Sequence, residues 1–385
     1  MLKIAIIGCG KIANDHLEAI RRVPGARVIA ACDAEPLMAK QLCERFGIER
    51  DFNDVDAMLS ACRPDVVHIT TPPRSHFSLA KQCLQQGCHV YVEKPFTVHA
   101  GEAKELIDLA NSLKRKITVG HDLQFSHAAR RMRQLVKAGY LGGAPVHLES
   151  YYCYDLTDPK YARALLSDKE HWIRSLPGKL LHNIISHGIA RLAEYLPSDA
   201  PEVQAHGFVS PLLKSMGEQE IHDELRVVIL DPAGTTAYFT FSSQMRPSLN
   251  LFRIYGPANG LELDQEHETL IKLRGNRFVS YADKFIPPVM LAGQYFSNLG
   301  TNLRKFAAND FHMKSGMKHL IESFYASITN NAAAPIPEQE ILRVAGIMDA
   351  IFSQLNNAGG RDEQSAEAAF ALTNRAMKPV HLVGR

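Results

Sequence analysis

The sequence predicts an α/β chain in two parts. Residues 1–122 read as a doubly wound parallel sheet, and 123–385 as an α+β domain with a large, mainly antiparallel open sheet. Three observations carry this. Short β-branched runs alternate with helix-period segments up to residue 122. A glycine turn joins the first strand to the first helix. Beyond 122 the rhythm changes to strand runs separated by turn residues. The length, 385 residues, suits two domains of roughly 100–200 residues each.

In the first part, strand runs fall at 2–7 (LKIAII), 27–32 (RVIAAC), 66–70 (VVHIT), 89–92 (HVYV) and 117–120 (ITVG). Helix-period segments lie between them at 12–22, 35–46, 76–86 and 100–113. In the first of these, Ile12, His16, Ala19 and Ile20 recur at helical spacing. Short strands flanked by helices argue a parallel sheet covered on both faces. In the second part, 146–154 and 203–209 read as single strands. From 224 to 273, β-branched and aromatic runs are separated by turns at Asp231–Gly234, Arg246-Pro247 and Ala258–Gly260. That pattern reads as a meander of consecutive antiparallel strands. Helices are expected at 179–196, 313–330 and 337–356, with a peripheral tail from Gly359.

Composition narrows the function classes. Hydrophobic residues make up 46% and charged residues 22%, with a formal net charge of +2. Lys and Arg are scattered, and no basic stripe interleaved with aromatics points to nucleic acid. The seven cysteines form no CxxC spacing, so neither a zinc site nor a disulfide framework is expected, and no metal site is assigned. They read as reduced thiols of a cytoplasmic protein. No run of about 20 apolar residues suggests a membrane span.

Gly8-Cys9-Gly10-Lys11-Ile12-Ala13 follows a strand and opens a helix. Gly8 permits the tight turn, Gly10 lets the backbone approach a pyrophosphate, and Ala13 allows close helix–strand packing. The helix N-terminus then offers N–H donors and a positive dipole end. Asp33 ends the second strand, placed to accept hydrogen bonds from ribose hydroxyls and to repel a 2′-phosphate. NAD is therefore expected over NADP.

Thr70-Thr71-Pro72-Pro73-Arg74-Ser75-His76 closes the third strand. Prolines there stop the ladder and fix an extended turn. Ligands of open parallel sheets bind at these carboxyl ends, so the loop is expected beside the dinucleotide. His76, taken alone, reads as structural. Glu93-Lys94-Pro95 follows the next strand. Two readings of Lys94 stand on position alone. One is a solvated lysine in a charged turn. The other is a desolvated lysine at the nicotinamide end, tuned to trade protons with a hydroxyl.

In this order and spacing, GCGKIANDH, Asp33, TTPPRSH and EKP resemble the Gfo/Idh/MocA oxidoreductases, NAD(P)-dependent enzymes of sugars, inositols and nucleotide sugars. The resemblance is clear over 1–122 and looser beyond. It implies a Rossmann domain followed by a domain whose open sheet makes the contact of a homodimer or homotetramer. It also implies that Lys94 touches both cofactor and substrate, and that Lys94-Pro95 is cis. The family's second motif, roughly GGGxxxDxGxHxxD, falls on residues 177–191. His187 matches its histidine. Asn183 stands in place of the aspartate, Ile185 of the glycine and Arg191 of the last aspartate. Gly120-His121-Asp122 departs from the more usual Gly-x-Asn.

The same segment can be read from its residues. Leu181, Ile185, Ile189, Leu192 and Leu196 share one helix face, and Asn183, Ser186, His187 and Ala190 the opposite one. No charge occurs from Leu180 to Ala190, so the polar face is expected to be buried, either in a site or bonded to backbone. His187 suits acid–base work near neutral pH. Asn183 can orient a hydroxyl but cannot balance an imidazolium. Trp172 walls a ligand or packs between domains. Arg174 meets an anionic group or a surface carboxylate. Tyr152 and Tyr154 share a strand face, for sugar contact or sheet packing.

These readings converge on NAD-dependent hydride transfer at a secondary hydroxyl of a sugar-type substrate. Lys94 and His187 are the acid/base candidates. Asn183, His121, Asp122, Trp172 and Arg174 are expected to orient substrate. Gly8, Gly10, Lys11, Ile12, Asp33, Thr70, Thr71, Pro72, His76, Glu93 and Lys94 are expected to hold cofactor. The alternatives are a hydrolase or lyase that uses NAD with no net redox change, and a non-catalytic NAD-binding regulator.

Overall fold

A computed structural model describes residues 1–156, 168–275, 278–311 and 314–376, with side chains as far as Asn357. Six strands, β1 (Leu2–Ile7), β2 (Ala26–Cys32), β3 (Arg50–Phe52), β4 (Val66–Ile69), β5 (His89–Val92) and β6 (Ile117–Val119), form the first sheet. All pair in parallel, in the order β3-β2-β1-β4-β5-β6. Helices α1 (Lys11–Ile20), α2 (Pro36–Phe46), α3 (Val55–Cys62), α4 (His76–Gln85) and α5 (Ala100–Ser112) connect them. The strand order reverses between β1 and β4. That switch opens a crevice outside the carboxyl ends of the strands. Ile4, Ile6, Val67, Ile69 and Val90 are wholly buried, as a sheet covered on both faces requires.

Helix α6 (His127–Lys137) leads to a second sheet of β7 (His147–Cys153), β8 (Glu202–Phe208), β9 (Glu224–Leu230), β10 (Thr236–Ser242), β11 (Asn250–Tyr255), β12 (Asn259–Asp264) and β13 (Thr269–Arg274). Its order is β13-β12-β11-β7-β10-β9-β8, and only the β7–β10 pair is parallel. Helices α7 (Lys179–Ile184) and α8 (Ser186–Ala193) precede β8, and α9 (Pro211–Ser215) follows it. Three helices close the chain: α10 (Ala282–Ala307), α11 (Ser315–Thr329) and α12 (Glu338–Ala376).

The second core lies between the inner sheet face and α7, α8 and α12, where Phe239, Phe241 and Phe252 pack with Ile185, Ile189 and Ile351. The apolar face expected over 181–196 is buried throughout. The first core is not confined to residues 1–122. Leu320, Ile321, Phe324 and Tyr325 of α11 and Ile341 of α12 are part of it. The late helices thus tie the second half of the chain back onto the first.

Several expectations need correction. The strand-and-helix pair β3–α3 was not anticipated, because RDF is a three-residue edge strand with no alternation to read. The meander is interrupted: β10 and β11 are not neighbours, since β7 inserts between them. The linker from Ser243 to Leu249, with its cis Arg246-Pro247 bond, passes over that strand rather than making a tight turn. The helix expected at 179–196 breaks at Ile185. No element was expected over 282–307, where Pro287 and Pro288 argue against the helix that forms. The helix expected at 337–356 runs on to Ala376, through the segment read as a tail.

Candidate active site

Gly8 has φ +92, and a Cβ there would lie 2.7 Å from Thr71 Cγ2 and 2.8 Å from Thr71 N. Only glycine fits. A Cβ at Gly10 would meet nothing within 4 Å, so space stands open in front of the turn. Helix α1 carries no side-chain cap, leaving its first N–H donors for a ligand. Asp33 Oδ2 accepts the Cys9 N–H at 2.6 Å and Oδ1 that of Glu35 at 2.9 Å, which fixes the carboxylate beside the turn. An open helix terminus, a cradle that only glycine allows and an anchored carboxylate fit a dinucleotide pyrophosphate and ribose.

At the carboxyl end of β4, Thr70 Oγ1 donates to Gly8 O at 2.6 Å, tying this loop to the glycine turn. His76 is wholly buried, and its ring nitrogens meet Thr71 O at 2.8 Å and Pro95 O at 2.9 Å. It clamps the Thr71–Pro72 loop to the Lys94-Pro95 turn, with no ring atom left for a cofactor. This corrects its expected contact.

The Lys94-Pro95 bond is cis, as the resemblance implied. Lys94 Nζ donates to the backbone oxygen of Asn183 at 2.9 Å, across the boundary between the two halves of the chain. Glu93 points the other way. Its Oε1 meets His16 Nε2 at 2.8 Å and its Oε2 accepts Lys94 N–H at 3.1 Å. A Cβ on Gly120 would stand 2.6 Å from Glu93 Oε1, so that glycine is there for the carboxylate. Glu93 is therefore a buried support under Lys94 rather than a direct cofactor ligand.

Behind it runs a buried chain that the sequence did not disclose. His16 Nδ1 meets His68 Nδ1 at 2.9 Å, and His68 Nε2 meets Tyr325 OH at 2.7 Å. With an ionised Glu93, one set of neutral tautomers satisfies every link. Tyr325 donates to His68, His68 Nδ1–H to His16, and His16 Nε2–H to Glu93. Burial, then the neighbouring His16, holds the His68 ring well below the usual imidazole range. Burial also raises the Tyr325 phenol.

From the second half, α8 presents His187. Gly188 makes the close approach possible, since a Cβ there would stand 2.4 Å from the Phe239 ring. His187 Nδ1 lies 3.8 Å from Asp122 Oδ1, and the Tyr152 ring is 6.1 Å away. Arg191, one turn on, is buried on neutral partners: Asn250 Oδ1 and Gln265 Oε1, both at 2.6 Å, and Ser150 Oγ and Tyr151 O, both at 3.2 Å. Lys314, just before α11, pairs with Asp15 at 3.0 Å. Neither cation was expected here.

Electrostatics follow from this packing. Burial, then Lys94, the neighbouring His121 ring, Arg191 and Lys314, holds His187 well below the usual range, so the ring is neutral at pH 7. Burial, reinforced by Glu93, lifts Asp122 to about 6 against the pull of Lys314 and Lys94. Burial lowers Lys94, opposed by Glu93 and Asp122.

His121 stands beside His187, ring centroids 6.2 Å apart, with neither ring nitrogen bonded, and shares a water-sized cavity with His182 and Ser186. Two other expected residues sit elsewhere. Arg174 pairs with Glu218 at 2.7 Å, so its anion partner is internal. Trp172 lies in a 3₁₀ turn over 172–175 and stacks on His171, with one third of its surface exposed. No His/Cys/Asp/Glu cluster among the described residues could hold a metal.

The family model for Gfo/Idh/MocA oxidoreductases, NAD-binding Rossmann fold, matches residues 2–121. D-glucoside 3-dehydrogenase of Escherichia coli is 32% identical over 142 residues, 37% of this chain and 40% of that protein. UDP-N-acetylglucosamine 3-dehydrogenase of Acidithiobacillus ferrooxidans is 33% identical over 152 residues, 39% and 44% of the two chains. These matches therefore span less than half of each relative. Among solved structures, the WlbA dehydrogenase from Bordetella pertussis, in complex with NADH and UDP-GlcNAcA, superposes with a TM-score of 0.73 at 15% identity. That superposition covers 93% of this chain and 96% of the other. An oxidoreductase from Agrobacterium radiobacter, in complex with NAD+, L-tartaric acid and magnesium, gives 0.72 at 17% identity, over 93% and 97%. Residues 2–121 therefore carry the NAD-binding Rossmann domain of the Gfo/Idh/MocA oxidoreductases.

Proposed function

We propose that the protein is an NAD-dependent dehydrogenase of a secondary hydroxyl on a sugar, inositol or nucleotide sugar. The observation that carries this is the convergence of Lys94, Asp122 and His187 where the two halves of the chain meet. The relatives named above as sugar and nucleotide-sugar dehydrogenases support the substrate class. Residues Gly8–Ile12, Asp33 and Thr71 would hold the dinucleotide. When bound, its nicotinamide supplies hydride acceptance or return.

The chain's own residues handle the proton. Neutral His187 turns Nδ1 toward Asp122, which leaves Nε2 to take the proton of a substrate hydroxyl. The imidazolium so formed is balanced by ionised Asp122. That carboxylate fills the role that Asn183 cannot. Lys94, held by the Asn183 carbonyl and by Glu93 beneath it, donates to the same substrate oxygen and fixes its orientation.

The outer face of the second sheet, where Tyr238 is half exposed, is the surface we assign to subunit contact. The seven buried, unpaired cysteines support a reducing compartment, the cytoplasm.

The test is NADH formation at 340 nm with a panel of free sugars, inositols and UDP-sugars, for the wild type and Lys94→Ala. Net NADH with one substrate class, reduced at least 10³-fold in the variant while NAD affinity changes less than about 3-fold, is the expected result. Undiminished turnover in Lys94→Ala refutes the assignment. Product formation without net NADH refutes the redox reading.

A further inference from the structure

Helix α10 is turned inside out. Its polar stripe faces its own chain: Gln294 exchanges two hydrogen bonds with the Lys272 backbone, at 2.7 and 3.2 Å. Asn298 does the same with Leu270, at 3.1 and 3.0 Å. Asn302 adds a third contact, to His267 O at 3.0 Å. These amides, four residues apart, cover the edge of β13 as another strand would. The opposite stripe carries Phe285, Val289, Phe296, Leu299, Leu303 and Phe306, which are 53–73% exposed. An amphipathic helix in a folded chain normally buries such a stripe.

The spacing of that stripe says what covers it. With Ala292, the positions 285, 289, 292, 296, 299, 303 and 306 alternate steps of four and three without a break. That is a heptad seam three repeats long, the narrow pattern that receives another helix. The heptad positions that flank the seam, Ile286, Gly293, Gly300 and Ala307 on one side and Pro288, Tyr295 and Asn302 on the other, carry no charge. A helix that lies on a lipid surface carries Lys and Arg along its flanks. An uncharged seam meets a copy of itself without like-charge repulsion, as an isologous two-fold contact requires. The helix has 26 residues and so runs about 39 Å. Seven such side chains expose roughly 800 Å² per chain, the amount one partner buries in a standard-sized interface.

We infer that α10 pairs with α10 of a second copy of this chain, side by side along the 285–306 seam. The contact is separate from the outer face of the second sheet, and it does not rest on the proposed reaction.

The test compares the full-length wild type with the double variant Phe296→Glu, Leu303→Glu by sedimentation equilibrium at about 1–50 µM, since association depends on protomer concentration. The expected wild-type mass is a multiple of the 42.8 kDa chain, and the variant's is half of it. The variant should keep its circular dichroism and its NAD affinity. A second readout needs no variant: amide exchange over 285–306 in the wild type slows as protein concentration rises. The proposal is overturned by a monomeric wild type, by a variant of unchanged mass or by concentration-independent exchange. A monomeric wild type that floats with phosphatidylcholine–phosphatidylglycerol vesicles also overturns it and assigns the face to lipid.

Discussion

Replacing Asp122 with Asn separates stability from function at this site. Burial lifts the Asp122 carboxyl from 3.8 to about 6, and its side chain is only 16% exposed. A raised folded-state pKa means that the fold prefers the protonated acid. Its favourable contribution is full below pH 3.8, declines as pH rises to about 6, and is gone above that. Each pKa unit corresponds to about 1.4 kcal/mol, so ionised Asp122 costs the fold roughly 2–3 kcal/mol at pH 8. Asn has nearly the same shape and no charge. The variant should therefore melt several degrees higher than the wild type at pH 8 and at the same temperature near pH 4. Turnover should move the other way. At 3.8 Å, the carboxylate is close enough to stabilise an imidazolium by a few kcal/mol, so kcat should fall about 10²–10³-fold. Wild-type kcat should also decline below about pH 6, where Asp122 protonates. Scanning calorimetry at both pH values and a pH profile of kcat measure these effects. A variant that is less stable at pH 8, or as active as the wild type, refutes the reasoning.

Three further outcomes follow from individual contacts. Asp33→Ala removes the carboxylate anchored on Cys9 N–H and should reduce the NAD over NADP preference at least 10-fold, read as the ratio of kcat/KM values. Gly8→Ala forces a Cβ against Thr71 at positive φ, so it should lower stability by about 1–3 kcal/mol in urea unfolding and weaken dinucleotide binding by calorimetry. Tyr325→Phe leaves His68 Nε2 without its donor; stability should drop by about 1–2 kcal/mol, with NAD affinity unchanged.

How much of this was legible depended on the range of each interaction. The glycine turn, its Asp33 and the strands that carry them are local patterns, and they stand where the sequence placed them. The His16–His68–Tyr325 chain was hidden because its links join residues 52 and 257 positions apart. On helical spacing His16 is simply one more inward residue of α1. The order of the second sheet was hidden for a related reason. Alternation identifies β7, β10 and β11 as strands, but not that β7 lies between the other two. Helix α10 lay outside every expected element; Pro287 and Pro288 stand inside it, where a helix is ordinarily disfavoured.

The substitution of Asn183 shows why site chemistry must be judged in space. Read along the chain, loss of an aspartate one turn before His187 leaves the imidazole with no anionic partner on its own helix. Two changes elsewhere alter that conclusion. Asp122, which stands where the resemblance calls for Asn, approaches His187 from the first half of the chain. Arg191, which stands where it calls for Asp, is satisfied by neutral groups and adds positive charge behind the ring. A cation behind His187 disfavours its imidazolium, so a carboxylate in front is needed if the ring is to accept a proton during turnover. The three departures from the motif are therefore coupled. Asp122→Asn combined with Asn183→Asp should recover part of the lost kcat. If the second change gives no recovery, the carboxylate acts only from the Asp122 side and the coupling is one of position rather than charge.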